Sequence, residues 1–336
     1  MTFYTIVNYQ FMDSINNKKT LKLGVLVVLV FFSGWLLRGF TGQFSPKVEQ
    51  VRQNTQEFKF INPLLFTDDS DINFLELDPL KNQFSNFIDK TVSQNKAKRV
   101  SVYFRDLDKA KWTGVNTDDT YAPSSMLKVL TLISYLRYAD MKPGILLDTL
   151  SYRYQDDPGQ FYKPKPLADG NYSVLTLLQQ LIIESDNSAM KQLNSLNIDE
   201  ISEVYSELRV PNLLTSPENF LSPRTVSGFF RSLYNSSYIS HKYSEGALEL
   251  LTYTKFDKGL VAGVITGTKV AHKFGEHTEM VNGQVQSRQL HDCGIIYYPK
   301  SPYLLCVMTE GQKFEDLEGV IAGLSQIAYQ YVKNSH

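Results

Sequence analysis

The chain has 336 residues, of which 43% are apolar and 21% are charged, and this composition excludes a disordered chain. Its 34 Lys and Arg residues are balanced by 35 Asp and Glu residues, so the net charge of -1 does not favour binding to nucleic acid. The length allows about two domains of ordinary size.

The two cysteines, Cys293 and Cys306, are too few for a disulfide framework or a thiolate zinc site. Both could lie on neighbouring strands of one hairpin, but nothing in the sequence places them opposite each other. We therefore expect two free, buried thiols, which carry no information about the cellular compartment.

An uncharged apolar run of 15 residues, 23–37, stands near the N-terminus. This run is short for a full membrane span of about 20 residues, and it fits the hydrophobic region of a signal peptide equally well. Two features favour a retained anchor: no small-residue cleavage site follows, and the Arg38 side chain can reach the membrane surface so that the span continues to residue 40. We expect a transmembrane signal-anchor over 23–40.

Charges around this run predict the topology of the chain in the cell membrane. Three lysines precede the run: Lys18, Lys19 and Lys22. Because lysines accumulate on the cytoplasmic side of a membrane span, residues 1–22 are expected in the cytoplasm and the rest of the chain outside it. The polar residues 41–75 then form a stalk, and residues 76–336 form a single extracytoplasmic domain.

Periodicity in this domain predicts strands at both ends and helices between them. Asp78-Pro79 is a helix start, and strand-forming residues follow at 100–104 and around Trp112. A mostly helical section covers about 120–260. Strands at 269–274, 294–298 and 303–309 and an amphipathic helix from Leu317 close the chain. This order predicts an α/β (α+β) fold: a mainly antiparallel sheet flanked by the N- and C-terminal helices, with an inserted all-helical lobe.

The first candidate site residues are Ser125 and Lys128, at the start of a segment that is apolar nearly all round. Residues three apart share a face of a helix, so the hydroxyl and the amine are neighbours. Apolar surroundings remove hydration from a lysine and lower its pKa, which makes Lys128 a candidate base for a nucleophilic Ser125. Backbone N–H groups at the helix start could stabilise a developing oxyanion.

Two further polar patterns follow. Ser185-Asp186-Asn187 comes after an apolar helix predicted over 174–183, and His272-Lys273-Phe274-Gly275 ends a predicted strand. In this order, Ser-x-x-Lys, Ser-Asp-Asn and Lys-x-Gly resemble the three motifs of the penicillin-recognising serine enzymes, most closely those of class A β-lactamases. The resemblance extends over most of 76–336 and implies a β-lactamase/transpeptidase-like fold. Ser185 follows Ser125 by 60 residues, about the spacing of class A enzymes.

The resemblance also implies roles in forming an acyl-enzyme. Ser125 would be the acylated nucleophile, with Lys128 as its activating partner, and Ser185 would relay a proton to the leaving nitrogen. The N–H of Ser125, with one from the strand after Gly275, would form the oxyanion hole.

Substrate binding falls to two other residues under the same resemblance. Asn187 would hold the side-chain amide of the substrate, and Lys273 would attract its carboxylate. No cofactor or metal ion is implied. The only histidine-containing cluster fits no standard zinc spacing, and it consists of His272, His277, His291 and Asp292.

Two departures from the family pattern stand out. Phe274 occupies a position where family members carry Thr or Ser, so a hydroxyl that helps to bind a substrate carboxylate is missing. Lys273 follows Ser185 by 88 residues, about fifteen fewer than in class A enzymes. The deficit falls at 211–223, where the class A loop carries a deacylating glutamate. Glu218 is the only carboxylate in this shortened segment, and we expect an exposed loop residue there.

Three functions are compatible with these observations. The first is a membrane-anchored serine hydrolase of the class A type that acts on β-lactams. The second is a D,D-peptidase or penicillin-binding protein that acts on peptidoglycan stem peptides and holds its acyl-enzyme for longer. The third is a non-catalytic envelope sensor that keeps the fold. In each case we expect a monomer that contacts the membrane through its N-terminal helix.

Overall fold

The computed structural model describes residues 50–52, 58–67, 75–196, 199–208, 210 and 220–335. The chain divides into two compact units, Met1–Lys47 and Val48–His336, and every described residue lies in the second. The predicted cytoplasmic segment and signal-anchor, 1–40, therefore lie outside the described residues. Among the described helices, none combines the length and the apolar character that crossing a bilayer requires.

The domain is built on one five-stranded antiparallel sheet. The described strands are β1 (Gln50–Arg52), β2 (Leu64–Thr67), β3 (Arg99–Asp106), β4 (Trp112–Val115), β5 (Thr149–Tyr152), β6 (Gly170–Ser173), β7 (Val270–Val281), β8 (Gln284–Ile296) and β9 (Tyr303–Gly311). The order across the main sheet is β4-β3-β9-β8-β7, so strands from the two ends of the domain are paired. The other four strands form two separate pairs, β1 with β2 and β5 with β6.

Helices cover both faces of this sheet. They are α1 (Asp78–Ser93), α2 (Lys128–Met141), α3 (Val174–Ile183), α4 (Asn187–Asn194), α5 (Asp199–Glu207), α6 (Pro223–Tyr234), α7 (His241–Leu251) and α8 (Phe314–Asn334). The terminal helices α1 and α8 pack on one face around residues such as Phe84, Val307 and Leu317. The remaining helices form the lobe, whose core reaches the other face at Ile295 and Leu304. The predicted architecture is therefore confirmed.

β7 and β8 are longer than the sequence predicted and form one hairpin. It turns at Asn282 and Gly283, whose φ angles of 50° and 77° suit a two-residue turn between twisted strands. His291 and Asp292, which precede the predicted strand at 294–298, lie inside β8. Their polarity concealed the strand, because Asp292 Oδ1 is 2.8 Å from His272 Nδ1 and His291 Nε2 donates to a distant backbone carbonyl.

Cys293 and Cys306 form a disulfide, so the expectation of two free thiols was wrong. Both residues are buried, as expected, but the register of β8 and β9 also places them directly opposite each other. Residues paired across neighbouring antiparallel strands bring their side chains close enough to bond. Composition alone does not give a strand register, which is why the pairing could not be predicted.

Part of the predicted stalk is docked onto the helical lobe. The carboxylate of Glu245 in α7 accepts three consecutive backbone N–H groups, from Lys59 at 2.7 Å and from Phe60 and Ile61 at 2.9 Å each. Ile61 is buried in the core of the lobe. This part of the predicted stalk, residues 58–63, thus packs against the folded domain.

Candidate active site

Ser125 lies in a single 3₁₀ turn, Ser124–Leu127, which leads directly into α2. The N–H of Met126 donates to Pro123 O at 3.0 Å and closes the turn. Ser125 is partly exposed, whereas most of α2 behind it is buried. The nucleophile candidate is therefore held at the surface of a cleft by a helix that is fixed in the core.

Gly275 in β7 faces this turn at very close range. A Cβ atom at Gly275 would lie 2.8 Å from Pro123 O, which is closer than real Cβ atoms come, and 3.2 Å from Met126 N, which is an unusually tight contact. Only glycine lets the strand approach the turn of Ser125 so closely. This explains the glycine of the Lys-x-Gly pattern in physical terms.

Lys128 is the first residue of α2 and is only 3% exposed. Its Nζ donates to Ser185 O at 2.6 Å and to Asn187 Oδ1 at 2.7 Å, and it lies 3.2 Å from Ser185 Oγ. Burial lowers the pKa of Lys128 to about 7, and nearby carboxylates only partly oppose this shift. A substantial fraction of the amine is therefore neutral near pH 7, as a base must be.

Ser185 lies between α3 and α4 in the left-handed backbone region, with φ of 56°. The neighbouring Asp186 caps α4 by accepting N–H groups of its first turn, which fixes this corner. Ser185 Oγ accepts a hydrogen bond from Lys273 Nζ at 2.9 Å and another from Lys128 Nζ at 3.2 Å. One hydroxyl thus connects the two lysines and can pass a proton between groups.

Asn187 begins α4, and both ends of its side-chain amide are engaged. Its Oδ1 accepts from Lys128, and its Nδ2 donates to Asp157 Oδ2 at 2.8 Å. The sequence analysis missed Asp157 because Asp-Asp-Pro-Gly at 156–159 is typical of an ordinary turn. Asp157 nonetheless holds the amide that the family resemblance assigns to substrate binding.

Lys273 in β7 is fully buried, with its Nζ bonded to Ser185 Oγ and to Phe274 O, each at 2.9 Å. Burial, and after it the charge of Lys128, holds the pKa of Lys273 well below its usual value. Since two ammonium groups on one hydroxyl would repel each other, the pair favours a state in which one amine is neutral.

Phe274 fills the position where a hydroxyl was expected. Its ring centre is 4.0 Å from Lys273 Nζ, and the ring stacks on Phe256 at 4.4 Å between centroids. The edge of Tyr162 meets the same ring at 5.5 Å. An aromatic ring therefore lies against the amine of Lys273, which the resemblance assigned to binding an anion.

Three of the candidate residues line one cavity of about 900 Å³, within the range of small-molecule sites. Ser125, Lys128 and Asn187 lie on its wall, and Ser185 bonds to Lys128 behind them. The structure thus brings together all of the predicted site residues: Ser125, Lys128, Ser185, Asn187, Lys273 and Gly275. Glu218 lies outside the described residues.

A second acidic residue that the sequence analysis missed, Glu276, also lines this cavity. Its Oε1 accepts the N–H groups of Phe161 and Tyr162, each at 3.0 Å. Burial raises the pKa of Glu276. The only sequence signal was its position directly after Gly275, because its partners come from a loop more than a hundred residues earlier.

The model of the β-lactamase enzyme family matches residues 79–332, which is most of the chain. The chain belongs to this family. It is a β-lactamase-like serine hydrolase, and all of its candidate site residues lie inside the matched range. No curated protein matches the chain in sequence.

Solved structures of this family have the same fold. A point mutant of PBP-A, solved as an acyl-enzyme complex with penicillin G, superposes with a TM-score of 0.63 at 20% identity, covering 77% of this chain and 97% of that one. TLA-3 extended-spectrum β-lactamase gives 0.64 at 21% identity, covering 76% and 98%. A class A β-lactamase from Mycobacterium abscessus gives 0.62 at 17% identity, covering 76% and 99%.

Two histidines of the cluster that fits no zinc spacing have other partners in this β-lactamase-like domain. His272 is paired with Asp292, and His291 donates to Ala122 O at 3.0 Å. Burial lowers the pKa of His291 to about 4, so its ring stays neutral. Within the described residues, no group of three or more His, Cys, Asp and Glu side chains is arranged to hold a metal ion.

Proposed function

We propose that this β-lactamase family member is a membrane-anchored enzyme that opens the β-lactam amide outside the cytoplasm through an acyl-Ser125 intermediate. The observation that carries the proposal is Lys128, a buried amine with a pKa of about 7 that shares a cavity with Ser125. A base next to a serine and a proton path to the leaving nitrogen are the groups that amide opening requires.

In the proposed acylation step, neutral Lys128 takes the proton of Ser125 Oγ while that oxygen attacks the lactam carbonyl. The C–N bond then breaks, and the nitrogen takes a proton from Ser185, which is replenished from Lys128. The N–H groups of Ser125 and Glu276 would stabilise the oxyanion, because the close approach at Gly275 brings β7 to the turn. Lys128 leaves the cycle neutral again.

Release of the acyl group needs an activated water, and this step distinguishes the two enzyme hypotheses. The segment that carries the deacylating glutamate in class A enzymes is shortened here, at 211–223. We therefore propose that the acyl-enzyme on Ser125 forms and then decays slowly. The similar fold of PBP-A, of which a mutant was captured as a penicillin G acyl-enzyme, supports such an intermediate.

A D,D-peptidase is the second candidate, favoured by the same shortened segment, since it needs no fast hydrolysis of an acyl-enzyme formed with a β-lactam. A non-catalytic module would have no use for a buried lysine bonded to a second serine and an amide. The intact connections of Lys128 therefore favour an enzyme over a sensor.

The disulfide of Cys293 and Cys306 supports the extracytoplasmic part of the proposal. Structural disulfides persist in oxidising compartments outside the cytoplasm and are rare within it. Together with the apolar run at 23–37 and the lysines before it, this favours an outward-facing domain.

A labelling time course tests the proposed chemistry. The detergent-solubilised full chain is incubated with a fluorescent penicillin, and the intact mass is followed over time, with Ser125→Ala as the control. Label that persists for minutes or longer is expected. Label that forms and vanishes with rapid turnover would indicate an efficient lactamase, and no label at any time would contradict the proposed acylation.

A protease experiment tests the topology. Protease added to intact spheroplasts should digest the domain beyond about residue 45, since the lysines before the apolar run place the N-terminus inside. A cytoplasmic marker protein must stay intact in the same sample. Protection of the domain together with the marker would contradict the membrane topology.

A further inference from the structure

Glu276 places a fixed carboxylate in the wall of the cleft. Its Oε1 is held by the N–H groups of Phe161 and Tyr162, while its Oε2 is buried and has no hydrogen-bond partner. The residue is on β7 directly after Gly275, where the strand comes closest to the turn of Ser125. A substrate that reaches Ser125 must therefore pass near this carboxylate.

Lys273 makes its hydrogen bonds to other groups and none to this carboxylate. It is fully buried and is bonded to Ser185 Oγ and Phe274 O, so it offers no exposed N–H to a substrate anion. Burial also favours its neutral form. The hydroxyl that would accompany it is replaced by Phe274, which lies in an aromatic cluster with Phe256 and Tyr162.

Besides Lys128 and His277, two basic side chains line the cavity, and each has a partner in the protein. Lys163 Nζ pairs with Asp156 Oδ1 at 2.8 Å and donates to Asp157 O at the same distance. Arg288 Nη1 donates to Gln312 O at 2.5 Å. Neither side chain bonds to Glu276, so neither neutralises the negative charge of its carboxylate by direct pairing.

From these contacts we infer that Glu276 selects among substrates by their charge. Ser125 is acylated most readily by β-lactams that carry no negative charge beside the scissile amide. A like charge brought close to a partly buried carboxylate is repelled strongly, because little water screens the pair. The inference rests on the proposed acylation of Ser125 and specifies which members of the β-lactam class react.

The test compares benzylpenicillin, which is an anion, with its neutral methyl ester. Second-order rates of acylation are measured by intact mass on the full chain in detergent, and each is divided by the rate at which hydroxide opens the same compound. The wild type should prefer the ester by about tenfold or more. Glu276→Gln should reduce that preference about tenfold, mainly through faster reaction with the acid.

The variant keeps an oxygen that can accept the N–H groups of Phe161 and Tyr162, so the loop should stay in place. Glu279→Gln serves as the matched control, since Glu279 lies on the same strand but does not line the cavity. It should leave the preference unchanged. If Glu276→Gln fails to fold, as judged by circular dichroism, Glu276→Ala is measured in its place, and equal rates for acid and ester in the wild type would still overturn the inference.

The outcomes separate this inference from the proposed function. Equal normalised rates for acid and ester in the wild type would overturn the inference and leave acylation established. The same holds if the preference survives Glu276→Gln or falls equally in Glu279→Gln. Absence of label with both compounds in every variant would overturn the proposed acylation, and the inference with it.

Discussion

The two sides of the cleft differ in how closely they follow the pattern of penicillin-recognising enzymes. On the helical side, Ser125, Lys128 and Asn187 share the cavity, and Lys128 bonds directly to Asn187. On the side of β7, Phe274 replaces a hydroxyl and Glu276 adds a carboxylate. The groups that would open an amide are retained while those that would recognise a substrate anion are altered. Bond opening and charge recognition are thus separable parts of this site.

The largest effect is expected on the helical side, from Ser125→Ala. Acylation should disappear because the change removes the oxygen that forms the acyl bond. The change removes one oxygen at the start of a helix, so it should cost about 1 kcal/mol of stability or less. Intact mass after penicillin treatment measures the first effect, and thermal unfolding measures the second. Label on a folded Ser125→Ala chain would mean that another residue is the nucleophile.

Removal of the base should have the next largest effect. Lys128→Met keeps much of the buried volume but no amine, and acylation should fall by about 10² to 10⁴, the usual contribution of general-base catalysis. The wild-type rate should rise about tenfold from pH 6 to pH 8, because a lysine with a pKa of about 7 is mostly neutral only above that pH. The methyl ester is the substrate to use, since ionisation of Glu276 then matters least. A flat profile would exclude Lys128 as the base.

The sequence predicted the helical side well because its signals are local. An apolar segment around Lys128 indicates a buried amine. The apolar helix before Ser185 indicates that the turn after this helix is buried in the core. The fold was predictable for the same reason, since periodicity gives the helices and strands that pair across the sheet. Glu276 and the Cys293–Cys306 disulfide gave no such signal. Their partners are set by strand register and by a distant loop.

A smaller effect is expected from Asp157→Asn, at the border between the two sides. The carboxylate accepts a hydrogen bond from Asn187 and also opposes the lowering of the Lys128 pKa. Its loss should reduce acylation about five- to tenfold, as one charge-assisted hydrogen bond would. It should also move the midpoint of the pH profile to lower pH. Asp156→Asn, its exposed neighbour, is the control, and an unchanged midpoint would limit Asp157 to a structural role.

The smallest effect is expected from Glu218→Gln, which asks whether the chain has kept a deacylating base. A shortened loop would have to rebuild a water site from different backbone, so the decay of the acyl-enzyme should be unchanged. The measurement is the loss of label with time after excess penicillin is removed. If Glu218 had taken over the role of the class A glutamate, its loss would lengthen the lifetime about 10²-fold or more.

A third result of the same experiment would bear most directly on the difference between the helical side and the β7 side of the cleft. Rapid decay that is unaffected by Glu218→Gln would require another base for the hydrolytic water. Lys128 is the first group to examine, because it is neutral for part of the time near pH 7 and lines the same cavity as the acylated serine. Deacylation would then follow the same pH profile as acylation. Side chains of the helical side would then make the proton transfers of both steps, while β7 would supply an oxyanion N–H and select the substrate by its charge.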